Sequence, residues 1–475
     1  MEKYDVVVVG GGIAGLAAAH RLRGKDPAPK VLLLERDPRL GGKILTEAID
    51  GFVIEGGPDS FLSYKPRGLG LCRELGLDGE LQGPRNTGGA AVRLDGHLHR
   101  IPEGLSGLVP ARLGPIFGSA LLSIGGRVRV ALERFVPARH GDDDETLAGF
   151  MSRRFGQEAY DRLIEPLMAG IYAGDGRELS LEATFPQLRE AERAAGSVVG
   201  GLAVQSRPRP SGPAFLSPRA GMGDLVNALE RELQGVVRTD SAACRIEETA
   251  EGFRIDTESG ESMETRAVIL ATPTYVAASL LDGLDERLAC ELAAIPYASV
   301  ITVSLAYPLN ALRRPPFGSG YIVPSIENQP VLACTWSSRK WDHRAPEDSV
   351  LVRAYLGRAR DGRTLQLDDR EILRIVEEEL EGVLGVSRPP LFSRIYRWPQ
   401  AMPQYVLGHK DRVHQIERLA STHPGLYLAG HAYRGIGIPD CIQTGEDAAG
   451  SVLKFLVDTK RRQRPAEVSG GPDRI

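Results

Sequence analysis

Three glycines, Gly10, Gly12 and Gly15, stand in the spacing GxGxxG directly after the run Val6–Val9. Residues of this type at this spacing can cradle phosphate. Gly10 permits a tight turn, Gly12 lets the main chain approach a pyrophosphate, and Gly15 lets a helix pack close to a strand. Gly11, Ile13 and Ala14 fill the turn and open the helix, whose free N–H groups would face the phosphate charge. Twenty residues beyond Gly15, Glu35 closes the run KVLLLER, with Arg36 beside it. A carboxylate there can accept both hydroxyls of an adenosine ribose. A second glycine turn, Gly41-Gly42, follows within a few residues, and Lys43 next to it either neutralises phosphate charge or is a solvated surface lysine. A third glycine-rich turn lies at the far end of the chain, in GLYLAGHAYRGIGIPDCIQTGEDAAG. There a strand over Leu426–Ala429 ends at Gly430, and a helix is expected to start near Ile442. Ile436, Gly437 and Ile438 would lie against a bound ring, with the helix N-terminus favouring negative charge. Two such turns at opposite ends of one chain suit one long dinucleotide.

Other catalytic chemistry is hard to find. The five cysteines (Cys72, Cys244, Cys290, Cys334, Cys441) are far apart, form no CxxC pair and fit a reducing compartment. The nine histidines are scattered, so no metal site is expected. His431 is either a base beside the third glycine turn or a loop histidine with a backbone partner. With 475 residues and a net charge of −4, the chain has no electrostatic signature of a nucleic-acid binder. Neither a signal peptide nor an apolar run long enough to span a bilayer is expected.

These residues need a doubly wound scaffold. VVVV reads as a strand buried on both faces, IAGLAAAHRLRG as a helix closed by Gly24, and AVILATPT as another buried strand. Between residues 290 and 400, β-rich runs such as VITVSLAY and VLVRAYLG flank one clear helix, DDREILRIVEEELEGVL. The segment Gly104–Arg139 is rich in Arg and apolar residues. It reads as the wall of an apolar cavity or, alternatively, as a peripheral membrane helix. The tail TKRRQRPAEVSGGPDRI reads as disordered.

The paired glycine turns resemble those of the amine oxidase and phytoene desaturase superfamily of flavoproteins. GPDSFL, IEPLMAGIYAGD, LSLEATFPQL, CTWSSRKW, YRWPQAMPQYVLGH and GIGIPDCI, in that order, resemble the FAD-dependent porphyrinogen oxidases. The likeness runs from about Tyr4 to Leu456 and is strongest to the Gram-positive type that acts on coproporphyrinogen III. It implies non-covalent FAD and an oxygen-dependent six-electron oxidation of coproporphyrinogen III in haem biosynthesis, with peroxide as by-product. The alternative is protoporphyrinogen IX; an amine oxidase or a flavin-free binding protein of the same fold is more remote.

An α/β fold is implied in three parts. These are a Rossmann-like FAD domain (1–85, 215–285, 405–458), a mixed-sheet substrate domain (86–100, 187–214, 286–404) and a helical lobe (101–186), with the tail at 459–475. The resemblance also adds Gly57, Pro58, Asp59, Ser60, Ala271 and Trp398 to the cofactor residues, and Cys244 through backbone contact with adenine, its side chain a small buried filler. Lys65 matches the basic position that pairs with a substrate carboxylate. Arg67, Arg339 and Lys340 are further cations, and Gly170, Tyr172, Ala173 and Ile322 are candidates to wall the macrocycle. A cytoplasmic protein is implied, monomer or dimer. Peripheral membrane contact and contact with other haem-pathway enzymes stay open.

Overall fold

The computed structural model describes residues 2–463 apart from 86, 107, 111–113, 140, 142, 205–211 and 360. Its first sheet is built around the strand Glu2–Val9. That strand pairs in parallel with Val31–Leu34 on one side and Ser262–Leu270 on the other. Val6, Val7 and Val8 are fully buried because helices cover one face and further strands and helices the other. Val237–Arg238 and Leu426–Leu428 extend the parallel core, and a meander of Ala243–Thr249 and Gly252–Thr257 completes the sheet. The N- and C-terminal helices Ile13–Arg23 and Ile438–Gln463 lie against each other. A Cβ on Gly445 would fall 2.1 Å from the carbonyl oxygen of Ala14, so glycine alone allows this approach.

A second seven-stranded sheet carries Ala91–Leu94, His97–Arg100 and five strands from Tyr297–Pro308 to Phe392–Pro403. The expected helix is found at Asp369–Leu384, with a capping box between Asp368 and Glu371 and Gly385 in a left-handed cap. Its Ile372, Val376 and Leu380 pack on the sheet.

Helices between residues 114 and 204 form a third layer around Phe150, Phe155, Leu163 and Met168. This layer runs past the expected boundary at Pro186. Leu188 on Pro186–Ala195 and Val198 on Val198–Val204 share its core. Fully buried Arg154 pairs there with Glu133 and Glu192, locking three helical segments with charge-assisted bonds. In the segment Gly104–Arg139, Leu108, Val109, Leu121 and Val130 face this core. Phe117, Ile124, Val128, Leu132 and Phe135 face outward. No helix among the described residues is long and apolar enough to cross a membrane.

Two sequence expectations near the C-terminus shift. The last helix begins at Ile438, four residues earlier than expected, because Asp440 in its first turn accepts the Gly437 N–H and caps it. It also continues to Gln463, into the stretch read as disordered; the rest of that stretch lies outside the described residues.

Candidate active site

The first glycine turn has the geometry its spacing implies. Gly10 has φ +109°, and a Cβ on Gly15 would fall 2.0 Å from the Gly10 carbonyl oxygen. Ala271 ends its strand behind this turn; its carbonyl oxygen would be 2.9 Å from a Cβ on Gly10. At Gly12 a Cβ would meet no protein atom within 4 Å. Helix Ile13–Arg23 starts there with no side-chain cap and no acidic residue in its first turn, so its N–H groups point into open space. The second turn docks onto the first: the Gly41 N–H donates to Gly11 O at 2.8 Å, and Gly42, at φ +56°, lies over Gly12. Glu35 is 8% exposed. Its two oxygens accept from the Gly11 N–H (2.6 Å) and the Asp37 N–H (2.9 Å), so the carboxylate braces the turn and keeps further lone pairs free.

Lys43 is not a solvated lysine. It is half-buried, and burial, with Arg36 adding repulsion, lowers its ammonium to about 8. Among the described residues its side chain has neither an ion-pair partner nor a hydrogen bond. A Cβ on Gly57 would fall 1.7 Å from the Lys43 carbonyl oxygen, so the GGPDS segment packs directly on this turn. The Gly56 carbonyl collects three donors: Thr302 Oγ1 (2.8 Å), Trp398 Nε1 (2.9 Å) and Arg353 Nη2 (3.2 Å). Trp398 therefore holds this turn by its indole N–H. Pro58 follows, and the Asp59 carboxylate accepts from Ser60 Oγ (2.7 Å), Lys340 Nζ (2.8 Å) and Trp341 Nε1 (3.1 Å). Burial alone would raise the Asp59 carboxyl; Lys340 and Arg353 hold it well below the usual carboxylate range.

At the third turn the Gly430 N–H donates to Thr444 Oγ1 at 3.0 Å, and a Cβ on Gly430 would meet nothing within 4 Å. His431 finds a backbone partner, its Nε2 lying 3.2 Å from Ala401 O. Burial and the nearby Lys43 charge lower it to about 3, so the ring is neutral. Ile436 packs at the edge of the helical core, as does Ile322 from the second sheet, and Tyr172 lies within that same core. Helix Glu165–Tyr172 ends at Ala173, whose φ of +49° is left-handed, and Gly170 is exposed beside it.

The candidate cations are not free. Lys65 Nζ reaches both oxygens of Asp440, at 2.7 and 2.6 Å. The same carboxylate is near enough to Tyr172 to add to the effect of burial in raising its phenol. Arg67 pairs with Glu446 and Glu74 and faces a surface groove with Arg21 and Lys454. Lys65 and Arg67 thus engage different carboxylates of helix Ile438–Gln463. Lys340 is committed to Asp59, and Arg339 Nε points at Gly318 O. Cys244 corrects another expectation. It is exposed at a β-bulge in the meander's outer strand, whose Ile246 turns into the core. The preceding residues lie beside Glu35, with the Ser241 N–H donating to its main-chain carbonyl oxygen at 2.8 Å.

The model of the flavin containing amine oxidoreductases matches residues 13–453. The chain belongs to that family. It is 35% identical over 468 residues to the coproporphyrinogen III oxidase of Bacillus subtilis (strain 168), covering 96% of this chain and 99% of the relative. It is 31% identical to protoporphyrinogen oxidase 1, chloroplastic, of Arabidopsis thaliana, covering 95% and 88%. A crystal structure of an Exiguobacterium sp. 255-15 protein named for protoporphyrinogen oxidase superposes with a TM-score of 0.85 at 32% identity, covering 95% of this chain and 99% of that one.

The residues present fit the family's flavin. The open positions at Gly12 and Gly430, the uncapped helix, the unpartnered Lys43 ammonium and a buried, unpartnered Thr272 hydroxyl beside Gly10 lie along one cradle. No group of metal-ligating side chains occurs among the described residues. Sequence reasoning left Asp440, Arg353, Gln404 and Tyr405 without roles. Three of them lie inside quoted motifs, but their contacts join segments far apart in the chain.

Proposed function

We propose that this flavoenzyme oxidises coproporphyrinogen III to coproporphyrin III with oxygen as acceptor, producing hydrogen peroxide. The end-to-end likeness to a relative named for that activity carries the substrate reading. The segments 1–85, 215–285 and 405–458 hold FAD, with Gly10–Gly15, Glu35, Gly42, Lys43 and Gly430 along the dinucleotide. The second sheet and the helical layer wall the substrate. Bound FAD would supply a hydride acceptor for a bridging methylene carbon and a route for the electron pair to oxygen; three such two-electron rounds, each with loss of one pyrrole proton, would account for the six electrons.

The chain's own work is binding and orientation. Helix Ile13–Arg23 and Lys43 offset pyrophosphate charge. Glu35 orients the ribose. Lys65 offers a substrate carboxylate its third N–H, two being held by Asp440. Tyr172, Ile322 and Ile436 supply apolar surface. No side chain among these is arranged as a strong base, and the neutral His431 donates to a carbonyl.

The test is turnover of both porphyrinogens side by side, followed by porphyrin fluorescence and peroxide yield on FAD-loaded protein. Higher kcat/KM for coproporphyrinogen III is expected. Clearly higher kcat/KM for protoporphyrinogen IX would favour the alternative, and turnover of neither would defeat the reading.

A further inference from the structure

The dipeptide Gln404–Tyr405 lies where the three layers meet, and its two side chains brace opposite walls of the site. Tyr405 is 1% exposed. Its hydroxyl donates to His431 O at 2.5 Å and accepts from the Gly435 N–H at 2.8 Å. One hydroxyl thus ties both ends of the loop that leads into Ile436 and Gly437. The His409 ring stacks on the phenol at 4.0 Å and 13°, which fixes its orientation. Gln404 faces the helical layer. Its Nε2 donates to Tyr172 O at 2.9 Å, and its Oε1 fills the space where a Cβ on Gly174 would fall, 2.4 Å away. It thereby holds the turn in which Ala173 is left-handed, a conformation that persists only where its surroundings impose it.

We propose that Gln404 and Tyr405 are positioning residues that set the two walls separately: Tyr405 sets the flavin loop 431–437, and Gln404 sets the Tyr172–Ala173 turn on the substrate side. Naming those walls rests on the function proposed above; the bracing does not. Neighbours in sequence are covalently fixed relative to each other, so the pair also holds the spacing between the walls.

Tyr405→Phe removes one hydroxyl and keeps the stacked ring. Amide exchange over 431–437 should accelerate in the apoprotein. FAD Kd should rise about five- to tenfold, because a loop freed of both hydrogen bonds must be ordered again when FAD binds. The flavin midpoint potential should shift and kcat should fall at unchanged KM. Gln404→Met, of similar volume, should leave exchange over 431–437 and FAD Kd as they were, quicken exchange over 172–176 and raise KM. The proposal is overturned if Tyr405→Phe leaves loop exchange and FAD Kd unchanged, or if both variants move the same quantities together, as a general loosening would. Exchange is read without cofactor or substrate. Failure of the unaltered protein to oxidise either porphyrinogen would therefore sink the proposed function and leave this result standing.

Discussion

The phosphate cradle and the basic rim hold charge by opposite means. The cradle around Gly12 is made of backbone N–H groups left open and one lysine without a counter-charge. The rim, the set of cations proposed to meet substrate, is made of side chains each already closed by a carboxylate or a carbonyl: Lys65 by Asp440, Lys340 by Asp59, Arg339 by the Gly318 carbonyl. An anion entering the cradle meets unsatisfied donors. An anion reaching Lys65 must share it with Asp440. One region leaves its donors open, whereas the other has its lysines already neutralised by neighbouring side chains.

The largest test of that contrast lies within the cradle. Gly15→Val puts a side chain 2.0 Å from the Gly10 carbonyl oxygen and should separate helix from strand. Overpacking of this kind costs roughly 1–3 kcal/mol or more. Purified protein should melt earlier and carry no flavin absorbance. Gly12→Ala should differ in kind. Its methyl meets no protein atom, so apoprotein melting should hold while FAD affinity drops by about a decade or more, on the order of 1.4 kcal/mol per decade. An apoprotein destabilised by Gly12→Ala, or one with unchanged FAD affinity, would break the picture of an open cradle.

Glu35→Ala comes next. It removes the ribose acceptor and also strands the Gly11 N–H, so FAD affinity should fall by about one to two decades with some loss of melting temperature. Apoprotein titration reads both.

At the rim the effect should be smaller and pairwise. Lys65→Met leaves Asp440 unpaired against an anionic substrate and should raise KM for coproporphyrinogen III more than it lowers kcat. The double variant with Asp440→Asn should recover part of that loss, with a coupling of about 0.5–3 kcal/mol in a double-mutant cycle. Strict additivity would mean that the pair does not act at the substrate.

A pH dependence is the finest probe. The ordinary lysine value of 10.5 is lowered to about 8 by burial in the folded apoprotein, so Lys43 opposes folding below pH 8 and this penalty fades as pH rises toward 10.5. A bound pyrophosphate raises the value again. FAD binding near pH 9 should therefore take up protons, and affinity should decline between about pH 8 and 10.5. Calorimetric titration in buffers of different ionisation enthalpy reads this uptake, which Lys43→Met should abolish.

The cradle was legible because backbone constraints are written in glycine spacing. GxGxxG and the GG turn demand close approaches or backbone conformations that few other residues allow, and Gly10, Gly15 and Gly42 show them. The rim was only half legible. Lys65 was found as a cation, but its partner lies 375 residues away in a helix whose start the sequence placed too late. The boundary at Pro186 was misread because helix faces reveal that they are buried without revealing against what. Cys244 was misread because an edge strand and a core strand share the same residue types.

By itself, then, the order of amino acids determined where the chain can turn tightly, which strands are buried on both faces, and that glycine turns stand at opposite ends of the chain. Those properties follow from local sterics and from hydrogen bonds between near neighbours. Tertiary structure alone decided which charges remain uncompensated, because a charge is cancelled by whatever lies within a few ångströms, however distant in sequence. It closed Lys65 and Lys340, left Lys43 open, and put Tyr405 between the helical layer and the loop 431–437.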